Sequence, residues 1–281
     1  MALPDNFDLS EFIDRVLAED LGSGGDVTSA ATIEPAARLT AEMNARQSIV
    51  VAGIEIACAF FQALDDAVEI EILAEDGEQV GHGTTLVRLT GNARAMLTAE
   101  RSALNTLQHL SGIATLTRQY VDCISGTGAI LLDTRKTIPG LRVLEKFAVR
   151  MGGGQNHRMR LDDGMLIKDN HVAVSGGVAE AVRRAKASNS GLQVQVEVDR
   201  IDQIEPALMA GADRLLLDNM DPATLRNAVH LVGGRVPLEA SGGVTLETIR
   251  FLAETGVNFI SLGRITQSAP AVDIDLDYGV A

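Results

Sequence analysis

The strongest constraint on how this chain folds is a run of strand–helix units in its C-terminal half. Short apolar segments ending in polar residues stand at AILLD (129–133), GMLIKD (164–169), VQVEVD (194–199), RLLLDN (214–219), VPLEAS (236–241) and FISLGR (259–264). The last four recur about every 20–24 residues, the period of a βα repeat in a parallel barrel. Helices fit the intervals at Gly177–Ala187, Ile201–Ala210, Pro222–Leu231 and Leu246–Glu254. Asp221 and Thr245 are the expected N-caps, with Pro222 at the first helical position. Six strands predict a barrel with fewer than eight.

The N-terminal half is patterned differently. Residues 8–20 place Leu9, Phe12, Ile13, Val16 and Leu17 at helical spacing, and GSGGDVTSAAT reads as a flexible, turn-rich link. Between Leu39 and Thr90 lie the strand-like pieces RLTAEM, SIVVAG, VEIEIL and TTLVRLTG, interrupted by a helix over Ile56–Leu64. GEQVGHGTTLVRLTG resembles the hairpins of biotinyl- and lipoyl-carrier modules, but residues 39–90 contain no lysine for attachment. A small β-rich domain that packs and shields is the better reading. A helix from Ala93 to about Cys123 follows.

Charge narrows the function. The chain carries a net charge of −14, yet Arg135–Lys168 holds eight Lys/Arg against three Asp/Glu, plus His157. Three of the four lysines (Lys136, Lys146, Lys168) fall inside it. A basic island in an acidic molecule suits a small polyanion; a nucleic-acid binder spreads positive charge over a face. No apolar run approaches the ~20 residues of a membrane span. The acidic N-terminus lacks a signal-peptide pattern, which predicts a cytoplasmic protein. Cys58 and Cys123, in apolar surroundings without CxxC spacing, are expected to be buried free thiols, and structural zinc is not expected.

Barrel chemistry sits at the C-terminal ends of strands. Those ends read Asp133-Thr134-Arg135-Lys136, Lys168-Asp169, Glu197, Asp218-Asn219, Glu239/Ser241 and Gly263-Arg264. Cations come early, carboxylates in the middle, and Ser241-Gly242-Gly243 and Gly263 late, where backbone N–H groups can cradle phosphate. Each element has a plainer alternative. Lys168 can pair with a neighbouring carboxylate, Glu197 and Asp218 can cap helices, SGG can be a common turn, and His157 can be a solvated loop residue.

The stretch DTRKTIPGLRVLEKFAVRMGGGQNHRMRLDDGMLIKDNH closely resembles the signature of the quinolinate phosphoribosyltransferase family, the decarboxylating nicotinate-nucleotide pyrophosphorylases. EDLGSGGDVTS, AERSALNTLQHLSGIAT, VEVD, LLLDNM, LEASGGVTLETI and ITQSAPAVDIDLD extend the similarity over essentially the whole chain. It implies an α/β fold with an N-terminal α/β sandwich-like domain (1–115), a C-terminal incomplete (β/α) barrel (116–265) and a tail (266–281) returning to the first domain. It implies a homodimer in which the N-terminal domain of one subunit covers the other's barrel mouth. The implied reaction moves phosphoribose from phosphoribosyl pyrophosphate to quinolinate, releasing pyrophosphate and CO2 and forming nicotinate mononucleotide for NAD synthesis. Mg²⁺ is the implied cofactor, with no organic cofactor.

By the same resemblance Arg135, His157, Arg158 and Lys168 meet the two carboxylates of quinolinate, and Arg101 reaches in from the partner subunit. Lys136 serves the phosphoribosyl pyrophosphate side, and Glu197 and Asp218 hold ribose hydroxyls and metal. Ser241, Gly242, Gly243, Gly263 and Arg264 receive phosphate. Two departures stand out. Arg264-Ile265-Thr266-Gln267 replaces an Ala-Leu-Thr-His common in the family, and Gln195 stands where an acid often precedes the glutamate, which predicts one charge fewer at the metal. The alternatives are a diverged paralogue of the kind linked to molybdate operons, with another aromatic acceptor, and a barrel aldolase using Lys168 as a Schiff base. The intact TRKT, NHR and LIKDNH weigh against the former, and borohydride trapping would reveal the latter.

Overall fold

The computed structural model describes residues 7–279; residues 1–6 and 280–281, which the expected domain boundaries include, lie outside the described residues. In chain order the elements begin with α1 (Leu9–Leu21), α2 (Val27–Thr32), β1 (Arg38–Ala45), β2 (Ile49–Val50), α3 (Ile54–Leu64) and β3 (Glu69–Ile72). Next come β4 (Gln79–Val80), β5 (Thr85–Asn92), α4 (Ala93–Cys123), β6 (Ile130–Leu132), α5 (Arg142–Met151), β7 (Met165–Ile167) and α6 (Asp169–Ser175). Then follow α7 (Val178–Ala187), β8 (Val194–Val198), α8 (Ile204–Met209), β9 (Arg214–Asp218) and α9 (Pro222–Val232). The chain closes with β10 (Leu238–Ser241), α10 (Ile249–Ala253), β11 (Phe259–Ser261), α11 (Arg264–Gln267) and β12 (Ile274–Gly279). It divides into two compact units. The first runs through Arg118 and takes in Val143–Gly153 and the chain from Ser268; the second comprises Gln119–Arg142 and Gly154–Gln267.

The first unit is built on an antiparallel sheet in the order β12-β1-β5-β3. One face is apolar, with Ala41, Met43, Leu89, Ile274 and Leu276 buried. On the other face Arg88 bridges Glu42 and Glu71 across strands, so the period-2 alternation separates core from solvent. The segment expected to be a flexible link instead folds as α2. Asp26 caps it, accepting from the N–H groups of Thr28 (3.1 Å) and Ser29 (2.9 Å), which satisfies donors that a helix start leaves open. Helix α3 starts two residues before its expected limit because Asp76 accepts from the N–H groups of Gly53 (2.7 Å) and Ile54 (3.1 Å).

Helix α5, hidden in the basic segment, buries Leu144, Phe147, Ala148 and Met151. It leads into the glycine run Gly152-Gly153-Gly154, where Gly152 is buried and a Cβ would lie 2.5 Å from both the Ala114 carbonyl oxygen and Thr117 Cβ. Only glycine allows this approach. Cys58 is buried, and burial pushes its thiol up to about 12; Cys123 is half-buried rather than buried, and both are free.

The second unit is a parallel sheet ordered β6-β11-β10-β9-β8-β7. The first strand pairs with the last, so the sheet wraps as a barrel does, but the β6–β7 ladder is replaced by a seam. A single parallel bridge between Leu132 and Gln155 crosses it, with Asp133 N–H donating to Gln155 O (3.1 Å) and Gln155 N–H to Leu131 O (2.9 Å). The expected helices form α7 to α10. Asp221 caps α9, accepting from Thr224 N–H at 2.8 Å, with Pro222 at its start. Thr245 is not a cap: its N–H donates to Thr248 Oγ1 at 2.9 Å in a turn, and α10 begins only at Ile249.

Gly152→Ala is expected to destabilise the protein by about 1–3 kcal/mol, the range for overpacking a rigid site. Denaturant unfolding checks this; an unchanged midpoint would show that the segment yields.

Candidate active site

The rim is assembled from strand ends in register. Leu166 pairs with Gln195 and Ile167 with Val196, which brings Lys168 level with Glu197. Lys168 Nζ is bonded to Glu197 Oε2, with Lys168 still 44% exposed and Glu197 only 10%. The lysine therefore does pair with a carboxylate, at the mouth of the barrel. His171, in the first turn of α6, accepts the Lys168 N–H through Nδ1 at 2.9 Å and fixes where the lysine leaves the strand.

Asp218 ends β9. Its Oδ2 accepts from Asn219 Nδ2 at 2.7 Å, and Asn219 adopts φ +54 while its N–H donates to Ser241 O at 2.8 Å. Gly242, at φ +97, passes so close that a Cβ would lie 2.1 Å from Asn219 Oδ1. The Ser241–Gly243 turn thus depends on glycine twice, for its dihedral angle and for space. At the end of β11 the Lys136 side chain lies against Gly263, where a Cβ would meet Lys136 Cδ at 2.6 Å. Thr266 Oγ1 donates to Lys136 O at 2.7 Å, tying the β6 end to α11 and its first residue, Arg264.

Arg135 and Arg158 are brought together. The Arg135 Nε is buried without a hydrogen-bond partner. Arg158 is held below its ordinary value, first by burial and then by the like charge of Arg135; its Nη1 donates to Gly164 O at 2.9 Å. Like-charged guanidinium groups that act on one another, one carrying a buried, unpartnered Nε, suit an anion.

His157 is not a solvated loop residue, being 12% exposed. Its N–H donates to Asp133 Oδ1 at 2.8 Å, its Nδ1 accepts from Arg158 N–H at 2.7 Å, and its Nε2 lies 3.1 Å from Gln195 Oε1. Both ring nitrogens thus have partners within the protein. Gln195 lies in the interior, 6% exposed, and donates to Glu239 Oε2 at 2.9 Å. Glu239 is fully buried, with Arg214 Nη2 at 2.6 Å and the Arg214 guanidinium stacked 3.8 Å above the Phe259 ring. Burial pushes the Glu239 carboxyl up, but contacts from His157, Arg214 and Ser261 overcome this and hold it at about 2.

Arg101 lies on α4 in the first unit, 64% exposed, with the Glu100 carboxylate 4.0 Å away. Among the described residues no group of three or more His, Cys, Asp or Glu side chains is arranged to hold a metal, and no helix is long and apolar enough to cross a membrane. Sequence reasoning placed Asp133 and Asn219 at strand ends without giving either a role, and passed over Asn156 and Arg214; for Arg214 the only signal was its charge at the start of an apolar strand.

Fold and rim together define an α/β-barrel protein that handles anions with fixed cations, neighbouring carboxylates and a glycine turn. Models of the quinolinate phosphoribosyl transferase N-terminal and C-terminal domains match residues 26–111 and 113–277. The chain belongs to the quinolinate phosphoribosyltransferase family. It is 42% identical to a probable nicotinate-nucleotide pyrophosphorylase (carboxylating) of Bacillus subtilis, covering 96% of this chain and 93% of that one. The nicotinate-nucleotide pyrophosphorylase (carboxylating) of Mycobacterium leprae is also 42% identical, over 94% of this chain and 95% of the relative. The crystal structure of the nicotinate-nucleotide pyrophosphorylase from Ehrlichia chaffeensis superposes with a TM-score of 0.94 at 41% identity, covering 98% of this chain and 100% of that one.

Because the Glu239 carboxyl is depressed from 4.5 to about 2 in the folded protein, its contribution is present above pH 4.5 and lost as pH falls toward 2. The stability advantage of the wild type over Glu239→Gln should therefore shrink through that window, measured by denaturant unfolding at stepped pH. An advantage independent of pH would show that the carboxylate is not the stabilising form.

Proposed function

We propose that this protein is a phosphoribosyltransferase that moves phosphoribose from phosphoribosyl pyrophosphate to quinolinate and decarboxylates the product, giving nicotinate mononucleotide, pyrophosphate and CO2. The observation that carries the acceptor assignment is the pairing of Arg135 and Arg158, one with a buried, unpartnered Nε and the other depressed first by burial and then by its neighbour's like charge. Such a site is favoured by a ligand bringing more than one negative charge, and adjacent carboxylates do so with bidentate geometry. Lys168 supplies a further point charge once it turns from Glu197 to the acceptor. Arg101, from the other copy of a homodimer, completes the enclosure.

On the donor side the Ser241–Gly243 turn, Gly263 and Arg264 take the 5-phosphate, and Lys136 lies along the diphosphate. Glu197 and Asp218 hold the ribose hydroxyls and stabilise positive charge as the C1–O bond breaks. Two hard carboxylates without a third suit Mg²⁺ carried in on the diphosphate, since that ion keeps substrate phosphates and water among its ligands. Bound there, Mg²⁺ would neutralise the leaving pyrophosphate. The ring nitrogen of quinolinate forms the new bond to C1. The C2 carboxylate then leaves as CO2, its bonding electrons held beside the cationic ring nitrogen, and a proton fills the carbon; Lys168 lies beside that developing charge. No organic cofactor is required, and the setting is NAD synthesis in the cytoplasm.

The direct test is incubation with quinolinate, phosphoribosyl pyrophosphate and Mg²⁺, following nicotinate mononucleotide and CO2, with nicotinate as the comparison acceptor. Product from quinolinate alone is expected; absence of product from quinolinate would overturn the proposal. Arg101→Ala should lower kcat/KM on the order of 10²-fold, the loss of a charged hydrogen bond of about 3 kcal/mol, with an unaltered circular dichroism spectrum. Lys168→Arg should lose a similar amount, because a planar fork does not replace a point charge in a closed site. Near-normal turnover in either variant removes that residue from the site.

A further inference from the structure

Behind the paired guanidinium groups runs a buried chain of polar groups that the reaction above leaves unused. Arg214 Nη2 is 2.6 Å from Glu239 Oε2, and Gln195 Nε2 is 2.9 Å from the same oxygen. Gln195 Oε1 is 3.1 Å from His157 Nε2, and Arg158 N is 2.7 Å from His157 Nδ1. Donor and acceptor rules fix each proton along it. An ionised Glu239 only accepts, so Gln195 turns its NH2 group to it and leaves its oxygen for His157. An amide oxygen only accepts, so His157 Nε2 bears hydrogen. From the other end, a backbone N–H only donates, so Nδ1 is bare. Both ends specify one species, the neutral imidazole with hydrogen on Nε2. An imidazolium would set an Nδ1–H against the Arg158 N–H.

We propose that Gln195 is a positioning residue that relays the Glu239 carboxylate to His157 as an uncharged acceptor, fixing the His157 tautomer and, through it, the backbone of Arg158. The groups facing Glu239 are His157 from the seam segment, Gln195 from β8, Arg214 from β9 and Ser261 from β11. Arg214 already supplies the charge partner, so Glu239 does not need an imidazolium. The acceptor site then draws its charge from Arg135, Arg158 and Lys168, while His157 sets where Arg158 stands. Only this last link rests on the proposed function; the state of His157 does not. A glutamate in place of Gln195 would put a second carboxylate against Glu239, and protonation of His157 is the nearest relief.

The test is nitrogen NMR of the ¹⁵N-histidine-labelled protein at neutral pH, with His157 assigned by loss of its signals in His157→Gln. The wild type should show His157 protonated at Nε2 and bare at Nδ1. Gln195→Glu should show both nitrogens protonated, with KM for the acceptor raised about tenfold or more and kcat changed less. Gln195→Met, which keeps length without the bridge, should show mixed tautomers and an intermediate KM; retained circular dichroism shows that each variant folds. A wild-type His157 bearing hydrogen on Nδ1, or an unchanged His157 in Gln195→Glu, overturns the proposal. Altered His157 signals with an unaltered acceptor KM would uphold the relay and remove Arg158 from the acceptor site, so the two failures are distinguishable.

Discussion

Asp133 ends β6 fully buried, and its carboxylate accepts from Asn156 Nδ2 at 2.6 Å and from His157 N–H at 2.8 Å. The cationic side of the second unit depends on this contact. With β6 paired to β11 and not to β7, two strand edges face a gap, and unpaired edge N–H and C=O groups are costly when covered. The segment after α5 fills it with one rung of ladder at Gln155, and Asp133 then turns the chain inward. Asn156, His157 and Arg158 are delivered to the inner face as a consequence. A closed eight-stranded barrel would have no place for them. The missing ladder is thus the reason a basic segment can line the site.

The interior of this barrel is also unusual in what it holds. Layers of Val, Ile and Leu normally fill such a space. Here the strands put Val194, Val196, Val198, Leu215 and Leu217 on one face, and the opposite positions carry Gln195, Glu197, Arg214 and Glu239. Burying these groups is eased where they answer one another, acceptor to amide, amide to imidazole, and guanidinium to carboxylate and ring, although Arg214 Nε and Glu239 Oε1 are buried without a hydrogen-bond partner. Removing one partner would leave a desolvated charge, so the network resists drift in geometry more than an apolar layer would. Precision at the rim is supported from beneath by hydrogen bonds rather than by packing alone.

The parallel strands and the helices between them were legible because both obey a simple period, and so were the rim residues, which stand where apolar runs end. The helix over Arg142–Met151 was not, because Glu145 and Lys146 interrupt its apolar stripe while themselves lying buried. Helix α2 was hidden by the glycines before it (Gly22, Gly24 and Gly25), although Asp26 before Val-Thr-Ser is a capping signal. Gly152 answers a steric demand from Ala114 and Thr117 of α4, a contact that neither period nor composition reveals. Gln195 could not be placed from its neighbours. Strand alternation puts it on the same face as Glu197, but only the tertiary structure shows that it points toward Glu239.

The charges of the rim are arranged in a directional way. Lys168 is paired with Glu197, while Arg135 and Arg158 set like charges against one another. On the proposed reading, an acceptor that draws Lys168 from Glu197 releases that carboxylate for the donor's ribose. Acceptor binding and completion of the donor site are then linked through one ion pair. The overall charge of −14 reinforces this. An acidic surface repels polyanions everywhere except where the cations cluster, so selectivity for a doubly charged acceptor comes as much from where positive charge is withheld as from where it is placed.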